Sequence, residues 1–222
     1  MLLSYTEENY LKAIYKLRER SSLRITTNSI ASLVATAPAS VTDMLQKLAE
    51  KKLVNYERYQ GVSLTSLGIK SAVSVIRKHR LWELFLVDKL GFNWDEVHEI
   101  AEQLEHIQSE SLVKKLYNFL GRPKCDPHGD PIPDEHGNFH SQKTFPLASA
   151  GTNEKLVISG VIDHRADFLQ YLDKNGLSIG RKIIVKEITA YDSSMTLTVG
   201  TPKILKHISA EVAKNILVSI VK

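Results

Sequence analysis

Residues 25–68 read ITTNSIASLVATAPASVTDMLQKLAEKKLVNYERYQGVSLTSLG, and the spacing of their apolar residues changes along the stretch. Asn28 is placed to cap a short helix through Leu33, a tight turn holds Ala35 to Ala37, and Pro38 or Ala39 opens a second helix. A proline's fixed φ suits the first helical turn, and Val41, Met44, Leu45 and Leu48 then share one face. Short helix, turn and second helix make a helix-turn-helix. LVNYERYQGVSLTSLG follows as two short strands around a Tyr59-Gln60-Gly61 turn, the wing of a winged helix. The second helix turns Ala39, Ser40, Thr42, Asp43, Gln46 and Lys47 outward; small and hydrogen-bonding side chains at a helix start suit the edges of bases in a major groove. Arg24, Lys47, Lys51, Lys52 and Arg58 suit phosphates, which supply affinity without sequence information. The same module also serves as a protein-docking platform, and the basic balance around it favours nucleic acid.

Outward from this stretch, TEENYLKAIYKLRER repeats Tyr10, Leu11, Ile14, Tyr15 and Leu17 at helical spacing behind a Thr6 cap. Downstream, Leu67 to about Leu120 reads as helical throughout, and Trp82, Phe85, Leu86 and Leu90 exceed what neighbouring helices need. A homodimer is expected, with two recognition helices about one DNA turn apart on a roughly palindromic operator. Residues 121–150, GRPKCDPHGDPIPDEHGNFHSQKTFPLASA, lack periodicity and read as a linker or binding loop. Short alternating strands around one or two helices then suggest a small SH3-like barrel. The expected architecture is mainly α with small β: a winged helix-turn-helix over 1–72, a helical metal-binding and dimerisation domain with the Pro-rich loop over 73–145, and an SH3-like β-barrel domain over 146–222.

Residues 1–90 hold 14 Lys+Arg against 8 Asp+Glu, whereas residues 91–150 hold 5 against 10. A basic first segment beside an acidic, histidine-containing second one points to a polyanion for the first and cations for the second. No apolar run reaches the roughly 18 residues a membrane span needs, and the N-terminus turns polar too early for a signal peptide. One cysteine, Cys125, forms no internal disulfide. A cytoplasmic protein without a membrane partner is expected.

The acidic segment contains VHEIAEQLEHIQSE, residues 97–110. Taken as one helix at about 100° per residue, it gathers His98, Glu102, Glu105 and His106 within an arc of roughly 100°. Imidazole and carboxylate in mixture suit a divalent first-row metal. One helix cannot surround an ion, and RKHRLWE offers His79 and Glu83 at i, i+4 on a second helix face. The Pro-rich loop adds Cys125 and His128. Two readings follow. A metal-dependent hydrolase with a fused winged helix needs an open coordination position beside a general base. A metal-regulated DNA-binding protein links ion and DNA affinities reciprocally, and the helix-turn-helix makes this the better explanation.

RKHRLWE, the VH…E..EH pattern, the preceding winged helix and the loop CDPHGDPIP together resemble the DtxR/MntR family of metal-dependent transcriptional repressors, over essentially the whole chain. The resemblance implies an N-terminal operator-binding winged helix, a dimerising domain with two metal sites and a C-terminal SH3-like (FeoA-like) domain. It implies one site drawing on His79, Glu83 and His98, with Cys125 or His128 from the loop and Asp163 of the barrel as candidates. The second would use Glu102, Glu105 and His106, completed from the N-terminal helix, where Asn9 stands in place of the family's Met or Asp and Glu8 is its neighbour. Glu102 stands where the iron-responsive branch has cysteine, which tilts the choice toward Mn(II), while Cys125 keeps Fe(II) open; Zn(II) or Co(II) is expected to activate in vitro. The implied physiology is repression of metal-uptake genes when the ion is abundant.

Overall fold

The computed structural model describes residues 2–20, 24–57, 60–140 and 143–221. Arg58 and Tyr59, assigned above to the wing and its phosphate contact, lie outside these. The chain forms two compact units, Met1–His79 with Glu102–Lys114 and Pro133–Phe139, and Arg80–Ala101 with Lys115–Ile132 and His140–Lys222.

The first unit is built on α1 (Tyr5–Arg20), α2 (Thr27–Leu33), α3 (Pro38–Glu50) and the hairpin β1 (Val54–Glu57) and β2 (Gly61–Leu64). Both early helices begin one or two residues before the expected caps. Ser4 accepts from the Glu7 amide while its own amide donates to the Glu7 carboxylate at 2.9 Å. Thr26 and Ser29 exchange the same reciprocal pair. In each case the capping side chain satisfies an amide that lacks an intrahelical acceptor, which corrects the Thr6 and Asn28 assignments. Pro38 stands at the first turn of α3 behind Ala37. The strands pair antiparallel from Val54↔Leu64 to Glu57↔Gly61, and Ile25 adds a bridge to Val62. Leu11, Ile14, Ile30, Val41, Leu45 and Leu48 are fully buried in one core, which Val54 and Val62 close from the hairpin side. The wing runs directly into α4 (Ser66–Leu90), whose start is held by Thr65: its hydroxyl accepts from the Gly68 amide at 3.1 Å and donates to the carbonyls of Lys52 and Leu53.

The boundary between the units falls inside α4, after His79. Beyond it come α5 (Val97–Leu104) and α6 (Glu110–Phe119). The helix expected over 97–110 therefore stops at Leu104. Glu105 and His106 lie in a turn, with the Ile107 amide donating to the Leu104 carbonyl, so they are not held on one wheel with His98.

The C-terminal part of the second unit is a six-stranded antiparallel sheet in the order β3-β8-β4-β5-β6-β7. The strands are β3 (Phe145–Pro146), β4 (Lys155–Val161), β5 (Lys182–Ile188), β6 (Met195–Val199), β7 (Ile204–Ile208) and β8 (Ile216–Ile220), with α7 (Ala166–Asn175) and α8 (Ala210–Asn215) between them. Leu156, Ile158, Leu169, Leu172, Val185, Leu197 and Val218 form its core. The small SH3-like sheet is present, but among the described residues no ladder joins the end strands β3 and β7, so the expected barrel does not close. A two-residue β3 supplies too few ladder bonds, and β7 turns Ile204 and Leu205 outward.

Residues 121–140 hold no helix or long strand, yet part of them is tightly seated. The Asp126 carboxylate accepts from the amides of His128 and Asp130 at 2.8 and 3.0 Å, which closes a local turn. The His128 carbonyl then accepts from the Val161 amide at the end of β4. Gly129 has φ +88°, and a Cβ there would lie 2.3 Å from the Ser159 carbonyl oxygen. Both conformation and space demand glycine. Gly129→Ala is expected to lower stability by about 2 kcal/mol or more, read as the shift in urea midpoint, whereas Gly176→Ala, with open space around it, should cost about half as much.

Candidate metal centre

Each unit gathers its own cluster of carboxylates and imidazoles. In the second unit, Glu83 is buried on α4 and faces two imidazoles: His98 Nδ1 from α5 at 3.2 Å and His128 Nδ1 from the loop at 3.6 Å. Glu83, Asp126 and His128 each offer a ligand atom within 4.8 Å of the others, and all three are buried. His128 is fixed by its other nitrogen, since Nε2–H donates to the Trp94 carbonyl at 2.8 Å. In the neutral ring this leaves the Nδ1 lone pair toward Glu83, the arrangement in which an outer partner sets the tautomer of a metal-ligating histidine. Trp94 also stacks on the His128 ring, as does His164 from the segment after β4, at 4.6 Å. Arg80 donates to Asp130 at 2.9 Å and lies 3.6 Å from Asp126 Oδ2. Neither that oxygen nor His128 Nδ1, both buried, makes a hydrogen bond among the described residues. Buried polar atoms without partners are costly, and a divalent ion with oxygen and nitrogen ligands would satisfy them. The donor set fits such an ion.

The charges here are strongly perturbed. Burial drives the Asp126 pKa up to about 7, helped by Asp130 and Glu83. Burial lowers that of His128, but the facing Glu83 carboxylate, with help from Asp126 and the Trp94 carbonyl, outweighs it and brings the value to about 9. His164, chiefly through burial, falls to about 4 and is neutral at pH 7.

In the first unit, the fully buried Glu105 receives Lys12 Nζ on one oxygen at 2.5 Å, and His79 Nδ1 lies 2.6 Å from the other without hydrogen-bond geometry between them. Lys12 also reaches Glu102 at 3.2 Å. Burial pushes Glu105 up, but His79 and Lys12 hold it below the usual carboxylate range, so it stays ionised. His106 Nδ1 meets Glu8 Oε2 at 2.6 Å, and Gln108 and Lys78 also reach Glu8. Glu8, not Asn9, takes the buried position on α1; Asn9 is exposed. Thus His79, Glu102, Glu105 and His106 are brought together, but around an ammonium group. This cluster does not fit a divalent ion as it stands.

Two other expectations shift. Asp163 is bound bidentately by Arg165, which keeps its pKa low, and its neighbour His164 is the one that stacks on His128. Cys125 makes a backbone bridge to Pro131, and the adjacent Asp126 is the loop residue within ligand distance of Glu83. On the recognition helix, Ala39, Ser40, Asp43, Gln46 and Lys47 are exposed; Thr42 is half-buried, its hydroxyl donating to the Pro38 carbonyl. Lys51, by contrast, is paired with Glu7 at 2.5 Å.

Three family models match successive parts of the chain: the iron dependent repressor N-terminal DNA binding domain over residues 2–62, the iron dependent repressor metal binding and dimerisation domain over 65–134, and the FeoA domain over 145–220. The diphtheria toxin repressor of Corynebacterium diphtheriae is 31% identical over 204 residues, 87% of this chain and 88% of that protein. The chain belongs to the iron-dependent repressor family. The iron-dependent repressor IdeR of Mycobacterium leprae is 34% identical over 128 residues, a stretch spanning 58% of this chain and 55% of that one. Among solved structures, a manganese-dependent transcriptional repressor in complex with manganese has a TM-score of 0.86 at 29% identity, over 97% of this chain and 100% of that one. ScaR with bound Zn2+ has a TM-score of 0.74 at 34% identity, over 97% and 99%. Repressors of this family are not enzymes, and the hydrolase reading finds no support in any of the three models. No helix of the described residues is long and apolar enough to cross a membrane.

Sequence reading missed Asp126, Trp94, His164 and Lys12. Asp126 and His164 were legible only as neighbours of named residues, Cys125 and Asp163; a lysine on an amphipathic helix carries no signal of burial. The raised His128 pKa has a definite consequence. In the metal-free protein its proton stabilises the fold below pH 6.5, and that contribution is lost as the pH climbs through about 9. A metal ligating Nδ1 must displace that proton. Mn(II) affinity is therefore expected to tighten by up to about tenfold per unit between roughly pH 6.5 and 8.5, with proton release visible as a buffer-dependent calorimetric enthalpy; a flat profile would contradict a protonated His128.

Proposed function

We propose that this protein is a metal-activated transcriptional repressor: a cytoplasmic homodimer that binds a palindromic operator when loaded with Mn(II) or Fe(II) and controls metal-uptake genes. The observation that carries this reading is the buried Glu83–Asp126–His128 group, in which Asp126 Oδ2 and His128 Nδ1 make no hydrogen bond among the described residues, in a chain whose other unit presents a helix-turn-helix. His98 joins it through Glu83, and His79 stands one turn before Glu83 on α4. Two carboxylates with two imidazoles, Glu83 and Asp126 with His98 and His128, suit Mn(II) or Fe(II) and also accept Zn(II) or Co(II) in vitro; Cys125, beside Asp126, would favour Fe(II) if it ligates.

This reading divides the labour at domain limits near residues 72 and 145. Ala39, Ser40, Thr42, Asp43, Gln46 and Lys47 form the base-reading face, with Lys47 toward phosphate. For the dimer, Phe85 and Phe119 approach within 6.4 Å, and Phe119 and Leu90 are 65% and 56% exposed, an apolar surface that a second subunit would cover. Leu86, buried within the subunit, does not contribute to it.

The deciding experiment is an anisotropy titration of palindromic upstream DNA at fixed salt, in EDTA and with Mn(II), Fe(II) or Zn(II). Metal should tighten binding at least tenfold, about 1.4 kcal/mol of coupling; equal affinity in EDTA removes the sensing role. His128→Ala should abolish the gain while leaving basal DNA binding intact. Lys47→Ala should reduce the slope of log affinity against log salt by about 1.

A further inference from the structure

We propose that Lys12 is the resident cation of the Glu102–Glu105 cluster, so that this protein takes one divalent ion per subunit where the cluster's carboxylates would otherwise hold a second. The inference rests on the metal-sensing reading above for the first ion only.

The argument is geometric and electrostatic. Lys12 Nζ lies 2.5 Å from Glu105 Oε1 and 3.2 Å from Glu102 Oε1, and the side chain is buried. A divalent ion bridging those two oxygens needs the point in space the ammonium nitrogen holds, because oxygen ligands at metal distance converge on the same centre. His79 Nδ1 stands 2.6 Å from the other Glu105 oxygen, so an ion approaching from that side meets the imidazole first. Charge leads to the same result. Three carboxylates, Glu8, Glu102 and Glu105, face two ammonium groups, Lys12 and Lys78, the latter 3.4 Å from Glu8. Carboxylates and ammonium groups alone leave the cluster with one net negative charge. Adding a dication would leave net positive charge among groups that, except for Glu102, are almost entirely removed from water, where uncompensated charge is costly. At Glu83 the contrast is clear: its facing partners His98 and His128 are imidazoles, each able to offer a ring nitrogen to a metal, which an ammonium group cannot. A lysine tethered to α1 cannot leave without drawing the helix with it or exposing its carboxylate partners.

Lys12 thus does structurally what a second ion would do, tying α1 to the turn after α5 whether or not metal is present. The site's occupancy is decided by one residue, and changing it should change the number of ions bound.

The test counts Mn(II) by equilibrium dialysis with electron paramagnetic resonance of the free ion, using the full-length protein and the variants Lys12→Gln and Lys12→Arg. One ion per subunit is expected for the wild type and Lys12→Arg, and two for Lys12→Gln, which removes the charge at similar length. Two ions in the wild type, or one in a folded Lys12→Gln, overturns the proposal. Zero in the wild type with one in Lys12→Gln supports Lys12 as the resident cation while refuting the Glu83 site, and zero in both overturns both. Should Lys12→Gln not fold, the wild-type count still decides, since two ions per subunit and a resident ammonium exclude each other.

Discussion

A fully buried carboxylate, Glu105, is the constraint around which the first unit is arranged. Ionised and withdrawn from water, it needs compensation nearby, and the fold supplies the Lys12 ammonium from α1 on one oxygen and sets His79 of α4 2.6 Å from the other. These contacts join residues 93 positions apart in the chain and decide where the turn after α5 can lie. They also orient His79, the imidazole that precedes Glu83 by one helical turn. The DNA-reading helix is packed on the same core as α1, so charge compensation at Glu105 and placement of the recognition helix belong to one cooperative unit.

The second unit solves a different problem, the positioning of a ligand-bearing loop that has no regular structure of its own. Asp126 closes a turn with its first oxygen, the His128 carbonyl adds a bond to β4, and Gly129 allows backbone to approach backbone. Trp94 completes the task by accepting from His128 Nε2 and, through its indole, donating to Asp173 of α7 at 2.8 Å. Here the small C-terminal sheet acts as a template for the loop: support from β4 and α7 is what holds Asp126 and His128 beside Glu83.

The parts of the fold legible in the sequence are those governed by local rules. Period, Pro38 and the strand alternation were enough for the helix-turn-helix and wing, because each is decided within a few residues. The i, i+4 pair His79 and Glu83 was readable for the same reason. The wheel drawn over 97–110 failed at Leu104 because the burial of Glu105 and His106 against α1 and α4 outweighs continuation of the helix. The barrel expectation failed at closure, which depends on pairing between the end strands, not on alternation within each.

By itself, then, the amino-acid order determined the winged helix-turn-helix, the concentration of imidazole and carboxylate in the middle third and the residue types a divalent ion needs, since spacing and chemistry are properties of short segments. Only the tertiary structure decided which of those side chains meet. It placed Glu8 inward and Asn9 outward on α1, chose Asp126 over Cys125 and His164 over Asp163, and set Lys12 among the carboxylates. Neighbouring residues on a helix or turn differ in direction by about 100° or more, so a choice between adjacent candidates is settled by the packing of distant elements, where the cost of burying each charge is balanced.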